Sequence, residues 1–116
     1  MKQTFLISWP PSVNNLWRAV NGRTILSSRY RAWRKAAATE LLLLRAKPMA
    51  GPVEVTIALC PPDKRSFDID NRAKGVLDLL CNCGVIESDN SATVKKLTVE
   101  LGEGFIGARV TVEAAP

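Results

Sequence analysis

From Val53 to Leu59 the residues Val53, Val55, Ile57 and Leu59 alternate with Glu54, Thr56 and Ala58, the period-two signature of a half-buried strand. Pro48 and Gly51 precede this run, and Pro61-Pro62 closes it because proline cannot continue a ladder. The alternation returns in Thr93 to Leu101 and in Ile106 to Glu113, joined by Gly102-Glu103-Gly104, and these two segments read as a carboxy-terminal hairpin. Lys2 to Trp9 also has extended character and ends at Pro10-Pro11-Ser12. Val13 to Asn21 is mixed and polar and reads as loop, whereas Arg23 to Leu26, after Gly22, could form a short strand.

Two segments carry helical spacing instead. Ser27 or Ser28 can cap a helix running to about Ala46, with Tyr30, Trp33, Ala37, Leu41 and Leu44 as its buried stripe. Arg31, Arg34, Lys35 and Arg45 lie largely off that stripe, as a solvated face or as a ridge that contacts phosphates. The run Leu41 to Leu44 covers more of the circumference than one core-facing stripe requires, so some of these leucines need a second apolar surface. A homodimer interface would supply it; burial within the monomer is the alternative. A second helix is expected from about Asp70 to Cys83, with Gly84 as its stop and Ala73, Val76, Leu77, Leu80 and Cys81 as its stripe. The order β(β)αβαββ, without repeats or low-complexity linkers, predicts an α+β fold with a mixed, largely antiparallel sheet and two helices, in one domain spanning residues 1–116.

Composition narrows the chemistry. Of 116 residues, 47% are hydrophobic, enough for one packed core. Sixteen Lys and Arg against eleven Asp and Glu leave a net charge of +5, which suits a polyanion such as nucleic acid but also occurs on ordinary soluble proteins. There is no histidine, so a Ser-His or Cys-His pair and a histidine general base are excluded within this chain. Hydrolysis would have to rest on carboxylates, lysine or a metal. Cys60, Cys81 and Cys83 are odd in number and no signal-peptide pattern precedes them, which favours free thiols in a reducing cytoplasm. Zinc at Cys81-x-Cys83 would need a carboxylate or a second chain, and buried small residues are the reading adopted. The run Leu41 to Leu44 is far too short to span a bilayer, so no membrane partner is expected.

The informative segment is Asp68-Ile69-Asp70-Asn71-Arg72-Ala73-Lys74, between a proline-ended strand and the start of a helix. In extended chain, residues two apart point to one side, so Asp68 and Asp70 can present both carboxylates to one point. Lys74 lies one helical turn beyond Asp70, and Asp78 continues the spacing. The plainer alternative is that an aspartate caps the helix and pairs with Lys74 on the surface. One acid suffices for that, and bringing two together is repulsive unless a cation lies between them. Asp89, in the loop Glu87-Ser88-Asp89-Asn90-Ser91, is a third candidate, although aspartate is common in turns. An oxygen-only donor set favours magnesium, or manganese in its place, over zinc or copper.

These residues resemble the RusA family of Holliday-junction resolvases over nearly the whole chain. The resemblance rests on Trp9-Pro10-Pro11-Ser12 with Asn14-Asn15, on Asp68-Ile69-Asp70-Asn71 with Lys74 and Asp78, and on Asp89 at the expected distance. It implies a homodimer that binds four-way DNA junctions and makes paired symmetric nicks, one site per subunit. It further implies that Asp68, Asp70 and Asp89 are magnesium ligands, that Lys74 is a catalytic lysine, and that Asn71 orients the aspartates. Two positions depart from the family pattern: Ser88 precedes Asp89 where a second aspartate is common, and Phe67 precedes Asp68 where a basic residue can occur. A non-catalytic branched-DNA-binding module is the competing expectation, and a structural dimeric adaptor is a third.

Overall fold

The computed structural model describes residues 1–13 and 17–116, so Asn14 and Asn15 of the resemblance lie outside the described residues. The elements are β1 (Lys2–Ile7), β2 (Trp17–Val20), β3 (Arg23–Leu26), α1 (Ser28–Leu43), β4 (Val53–Cys60), a 3₁₀ turn (Ile69–Asn71), α2 (Ala73–Asn82), β5 (Val94–Leu101) and β6 (Gly107–Ala114). The result is the expected α+β arrangement: two helices and a mixed, mostly antiparallel sheet of four strands in the order β1-β6-β4-β5. No helix among the described residues is long and apolar enough to cross a membrane.

The alternation in β4 does what its period requires. Val53, Val55, Ile57 and Leu59 are all buried, and the register extends their face across the sheet. Phe5 pairs with Val110, Val110 with Ile57, and Ile57 with Val99, which makes one apolar row four strands wide. One position along, Thr4, Thr111, Thr56 and Thr98 form the corresponding row on the other face. Two of them approach hydroxyl to hydroxyl, Thr4 to Thr111 at 3.2 Å. β-Branched residues favour the pleated surface on both faces, while polarity decides which face the helices cover.

The carboxy-terminal hairpin does not form. β4 lies between β5 and β6, pairing with β5 in parallel and with β6 antiparallel. The parallel pair requires a crossover, which α2 supplies; a hairpin would leave β4 at the margin of the sheet with only one partner. The chain from Leu101 to Gly107 instead arches past the end of β4, where the Gly102 N–H donates to the Leu59 carbonyl at 2.8 Å.

A strand in the segment read as polar loop is also present: β2 pairs with β3 antiparallel across Asn21-Gly22. Both turn residues have positive φ, 50° and 74°, as a two-residue hairpin turn of this hand demands.

Helix α1 starts as expected, with the Ser27 hydroxyl accepting from the Tyr30 N–H at 3.1 Å. It stops at Leu43 rather than near Ala46. Arg45 takes a left-handed φ of 58°, its N–H bonding Leu42 O and that of Ala46 bonding Leu41 O, a double closure that ends the helix. Tyr30, Trp33, Ala37 and Leu41 form the buried stripe, but Leu44 falls beyond the last turn and is half-exposed. Leu42 and Leu43 are 77% and 76% exposed, so they are not buried within the monomer. Helix α2 buries Ala73, Val76, Leu77 and Leu80 as expected, together with Gly75 and Leu79. Cys81 is half-buried and Cys83 is exposed at the helix end, so the expectation of burial fails for Cys83. All three thiols are free.

Gly107 opens β6 with φ near 120°, and a Cβ there would meet the Ile7 carbonyl oxygen. Gly107→Ala should therefore cost about 2 kcal/mol or more by combining a strained φ with a backbone clash. Urea unfolding checks this, and a midpoint equal to that of the parent protein would refute it.

Candidate functional site

The site is assembled from the connection after β4, the start of α2 and the loop before β5. Pro61-Pro62 ends β4, and Asp63 folds the following segment back on itself by accepting from the Arg65 N–H at 2.9 Å and pairing with its guanidinium at 2.8 Å. The chain then enters the 3₁₀ turn, which packs beside β5. Asp68 stands just before this turn in extended conformation, and Asp70 lies within it. Both are exposed. Asn71 Nδ2 donates to Asp68 Oδ2 at 3.2 Å, which holds the Asp68 carboxylate by its near neighbour.

Asp89 arrives from the other direction. After α2 the chain turns at Gly84, with φ 75°, and the Val85 N–H bonds Leu80 O. It then runs back beside the helix until Asp89 reaches the first turn of α2. The loop is pinned at its base, where the Ser88 hydroxyl bonds Thr93 Oγ1 at 2.9 Å and Thr93 is buried. Asn90 Oδ1 closes the turn by accepting from the Ala92 N–H at 3.0 Å. Ser88, the departure from the acidic pair of the resembled family, thus fastens the loop that carries Asp89.

Lys74 joins the two approaches. Its Nζ lies 3.0 Å from Asp89 Oδ2 and 3.1 Å from Asp78 Oδ1, so one ammonium bridges a residue one turn along its own helix and one fifteen positions away in sequence. The Asp89 hydrogen bond, followed by that of Asp78, raises the Lys74 pKa and keeps the amine charged. The same bond with Lys74 lowers the Asp89 pKa below the usual carboxylate range. Of the residues expected in the site, Lys74 and Asp89 are in contact, whereas Asp68 bonds Asn71 and Asp70 stands exposed at the turn. Among the described residues no group of three or more acidic or thiol side chains is gathered to hold a metal ion. The donor chemistry nevertheless fits a hard cation: the candidate ligands Asp68, Asp70 and Asp89 offer carboxylate oxygen alone, and the first two are exposed to solvent.

A set of contacts that the sequence did not single out braces this turn. Ser8, just past β1, receives both oxygens of Glu40 from α1: its N–H donates to Oε1 at 2.9 Å and its hydroxyl to Oε2 at 3.1 Å. Trp33 Nε1 donates to the Ser8 carbonyl at 2.9 Å. The following Trp9-Pro10-Pro11 segment is thereby set against the acid-bearing connection. Arg72 Nη1 donates to the Pro10 carbonyl at 2.7 Å, its guanidinium lies 4.9 Å from the Trp9 ring centroid, and Trp9 meets Phe67 edge to face at 5.0 Å. The Trp-Pro-Pro spacing was a signal for this corner; nothing periodic marks Glu40 or Arg72 as its partners.

A family model described as endodeoxyribonuclease RusA matches residues 8–113. The crossover junction endodeoxyribonuclease of Enterobacteria phage HK97 is 26% identical over 110 residues, covering 92% of this chain and 92% of that protein. Those of Escherichia coli and of Enterobacteria phage 82 are each 34% identical over 79 residues, covering 67% of this chain and 66% of their own.

Lys74→Met should move the Asp89 carboxyl upward, back toward the ordinary value of about 3.9, because the charged donor that favours the carboxylate is gone. NMR titration of the metal-free protein reads this directly, and an unchanged Asp89 midpoint would contradict the pairing.

Proposed function

The chain belongs to the endodeoxyribonuclease RusA family, and we propose that it resolves four-way DNA junctions by magnesium-dependent hydrolysis, with Asp68, Asp70 and Asp89 as metal ligands and Lys74 assisting. The observation that carries the site assignment is the 3.0 Å contact between Lys74 and Asp89, which brings the loop after α2 back to the start of that helix, next to the acid-bearing turn in sequence. Structural capping at the helix start does not account for it: the residue before α2 is Arg72, which makes no side-chain cap, and Asp68 makes none to the 3₁₀ turn.

Charge explains why a cation belongs here. Between residues 68 and 89 the acids Asp68, Asp70, Asp78, Glu87 and Asp89 outnumber the cations Arg72 and Lys74, and such an excess of carboxylate repels a phosphodiester until a divalent ion offsets it. When bound, magnesium supplies Lewis acidity and a more acidic water. Manganese, with similar ligand preferences, is expected to substitute.

The protein's own groups have separable tasks. An ammonium has three donors, and Asp78 and Asp89 occupy two of those of Lys74. The third is left for a phosphate oxygen, where it stabilises charge that grows during hydrolysis. Asp78 and Asp89 fix the position of that donor, while Asn71 orients Asp68. The Ser88-Thr93 bond limits how far Asp89 can move from Lys74.

Paired nicks in opposing strands need two sites, and a homodimer provides them. The exposed side chains of Leu42, Leu43 and Leu44, which lie round the end of α1 away from the buried stripe and are uncovered in this monomer, support self-association through that end of the helix.

Asp70→Asn should abolish junction nicking while binding to the junction persists, because one metal-ligating charge is lost and the basic surface is retained. A synthetic four-way junction assayed with and without magnesium tests this. Full nicking by the variant, or nicking by the parent protein in chelator, would overturn the assignment; salt-sensitive binding without any nicks would favour a binding module.

A further inference from the structure

Beside the acid-bearing turn lies a cleft of about 470 Å³, within the range of roughly 300–1,000 Å³ typical of small-ligand sites. Trp9, Phe67 and Pro62 supply apolar wall, and Arg29, Arg65 and Arg72 bring three positive charges. The cleft contains one carboxylate, Asp63, and it is already committed to Arg65. Arg29 and Arg72 thus share the cleft without an acid partner among the described residues. Arg72 also has a buried Nε with no hydrogen-bond partner among the described residues, although its Nη1 is held by Pro10. Two guanidinium groups sharing one cleft repel each other until an anion lies between them.

We infer that this cleft takes one unpaired nucleotide of a DNA strand, with its base against the walls formed by Trp9, Phe67 and Pro62 and its phosphate at Arg29 and Arg72. This rests on the nuclease reading above. Contact with a paired duplex backbone would need only charge on an open surface. Aromatic and proline walls enclosing a volume of this size serve instead a flat, apolar group attached to an anion, and a base with its phosphate is that ligand in DNA. Position agrees with chemistry: Phe67 directly precedes Asp68, so a nucleotide held here would adjoin the phosphate offered to the acids. Phe67 stands where the resembled family can carry a basic residue, which makes the base-binding wall a property of this chain's own sequence.

Intrinsic tryptophan fluorescence can follow binding to the metal-free protein, because Trp9 and Trp33 both line the cleft. Two probes separate base from phosphate: a short oligothymidylate and an abasic oligomer with the same number of phosphates. The thymidylate should bind about tenfold or more tightly than the abasic strand. Phe67→Ala should remove most of that difference, and Arg29→Gln, at an exposed position, should weaken both probes. Equal affinity of the parent protein for the two probes would show that phosphate alone is recognised and overturn the proposal, as would failure to bind thymidylate. Retention of the base preference in Phe67→Ala, with the variant's fold verified by circular dichroism, would likewise overturn it. Junction nicking in magnesium is scored separately: nicking without base preference sinks only the cleft, and base preference without nicking sinks only the nuclease reading.

Discussion

The position of β4 between a parallel and an antiparallel neighbour is the constraint on which the rest of the molecule depends. A strand flanked on both sides has partners for its backbone on each edge, and β4 has them from Val53 to Leu59, with a register shift near Val53 and with Val53, Val55, Ile57 and Leu59 buried. Because its β5 neighbour runs parallel, the intervening chain must cross over the sheet, and that crossover is the segment bearing Asp68, Asp70, Lys74 and Asp78. Asp89 then lies on the return path from α2 to β5. The candidate site therefore follows from a pairing in the core: the parallel partnership of β4 and β5 is what returns the chain from α2 past the first turn of that helix.

That pairing choice was the part the sequence concealed. Val94 to Leu101 and Gly107 to Ala114 are both strands, but burial alternates only in β6; in β5, Leu97 and Leu101 are exposed and no residue is buried. Periodicity reports that a face is buried but says nothing about which strand lies alongside, and the glycines of Gly102-Glu103-Gly104 serve an arch as readily as a hairpin. The opposite error occurred at β2, where a short strand of four residues shows little alternation; Asn21-Gly22 was the available signal, since a pair able to adopt positive φ favours a two-residue turn. The end of α1 differs from the expected one for a third reason. Arg45 occupies a left-handed position that glycine usually takes, so the stop has no marker in composition.

The site was more legible than the pairing because its residues are close in sequence or chemically distinctive. Asp68, Asp70 and Lys74 fall within seven positions, and their spacing is meaningful in extended chain and helix alike. What could not be read was the brace. Glu40 grips Ser8 across thirty-two positions with two hydrogen bonds, and Arg72 grips Pro10 across sixty-two with one, and such polar contacts leave no periodic trace. Asp78 was visible only as a continuation of helical spacing, yet it shares the Lys74 ammonium with Asp89.

Arg72 ties this brace to the chemistry. It lies between the 3₁₀ turn holding Asp70 and the first residue of α2, two positions before Lys74, while its guanidinium reaches back to Trp9 and Pro10. Any movement of the Trp9-Pro10 corner is thus transmitted to the start of α2 through a short hydrogen bond and a stacked charge rather than through the exposed loop. Glu40 and Trp33 oppose such movement from the other side by fixing Ser8 to α1. The acids themselves lie in solvent, where their side chains can adjust to a cation and a substrate, but the backbone that carries them is held at two points to the packed core. An exposed acidic turn on a braced base keeps ligand adjustment local, which is the mechanical condition for Lys74 to remain in register with Asp89 as charge at the site changes.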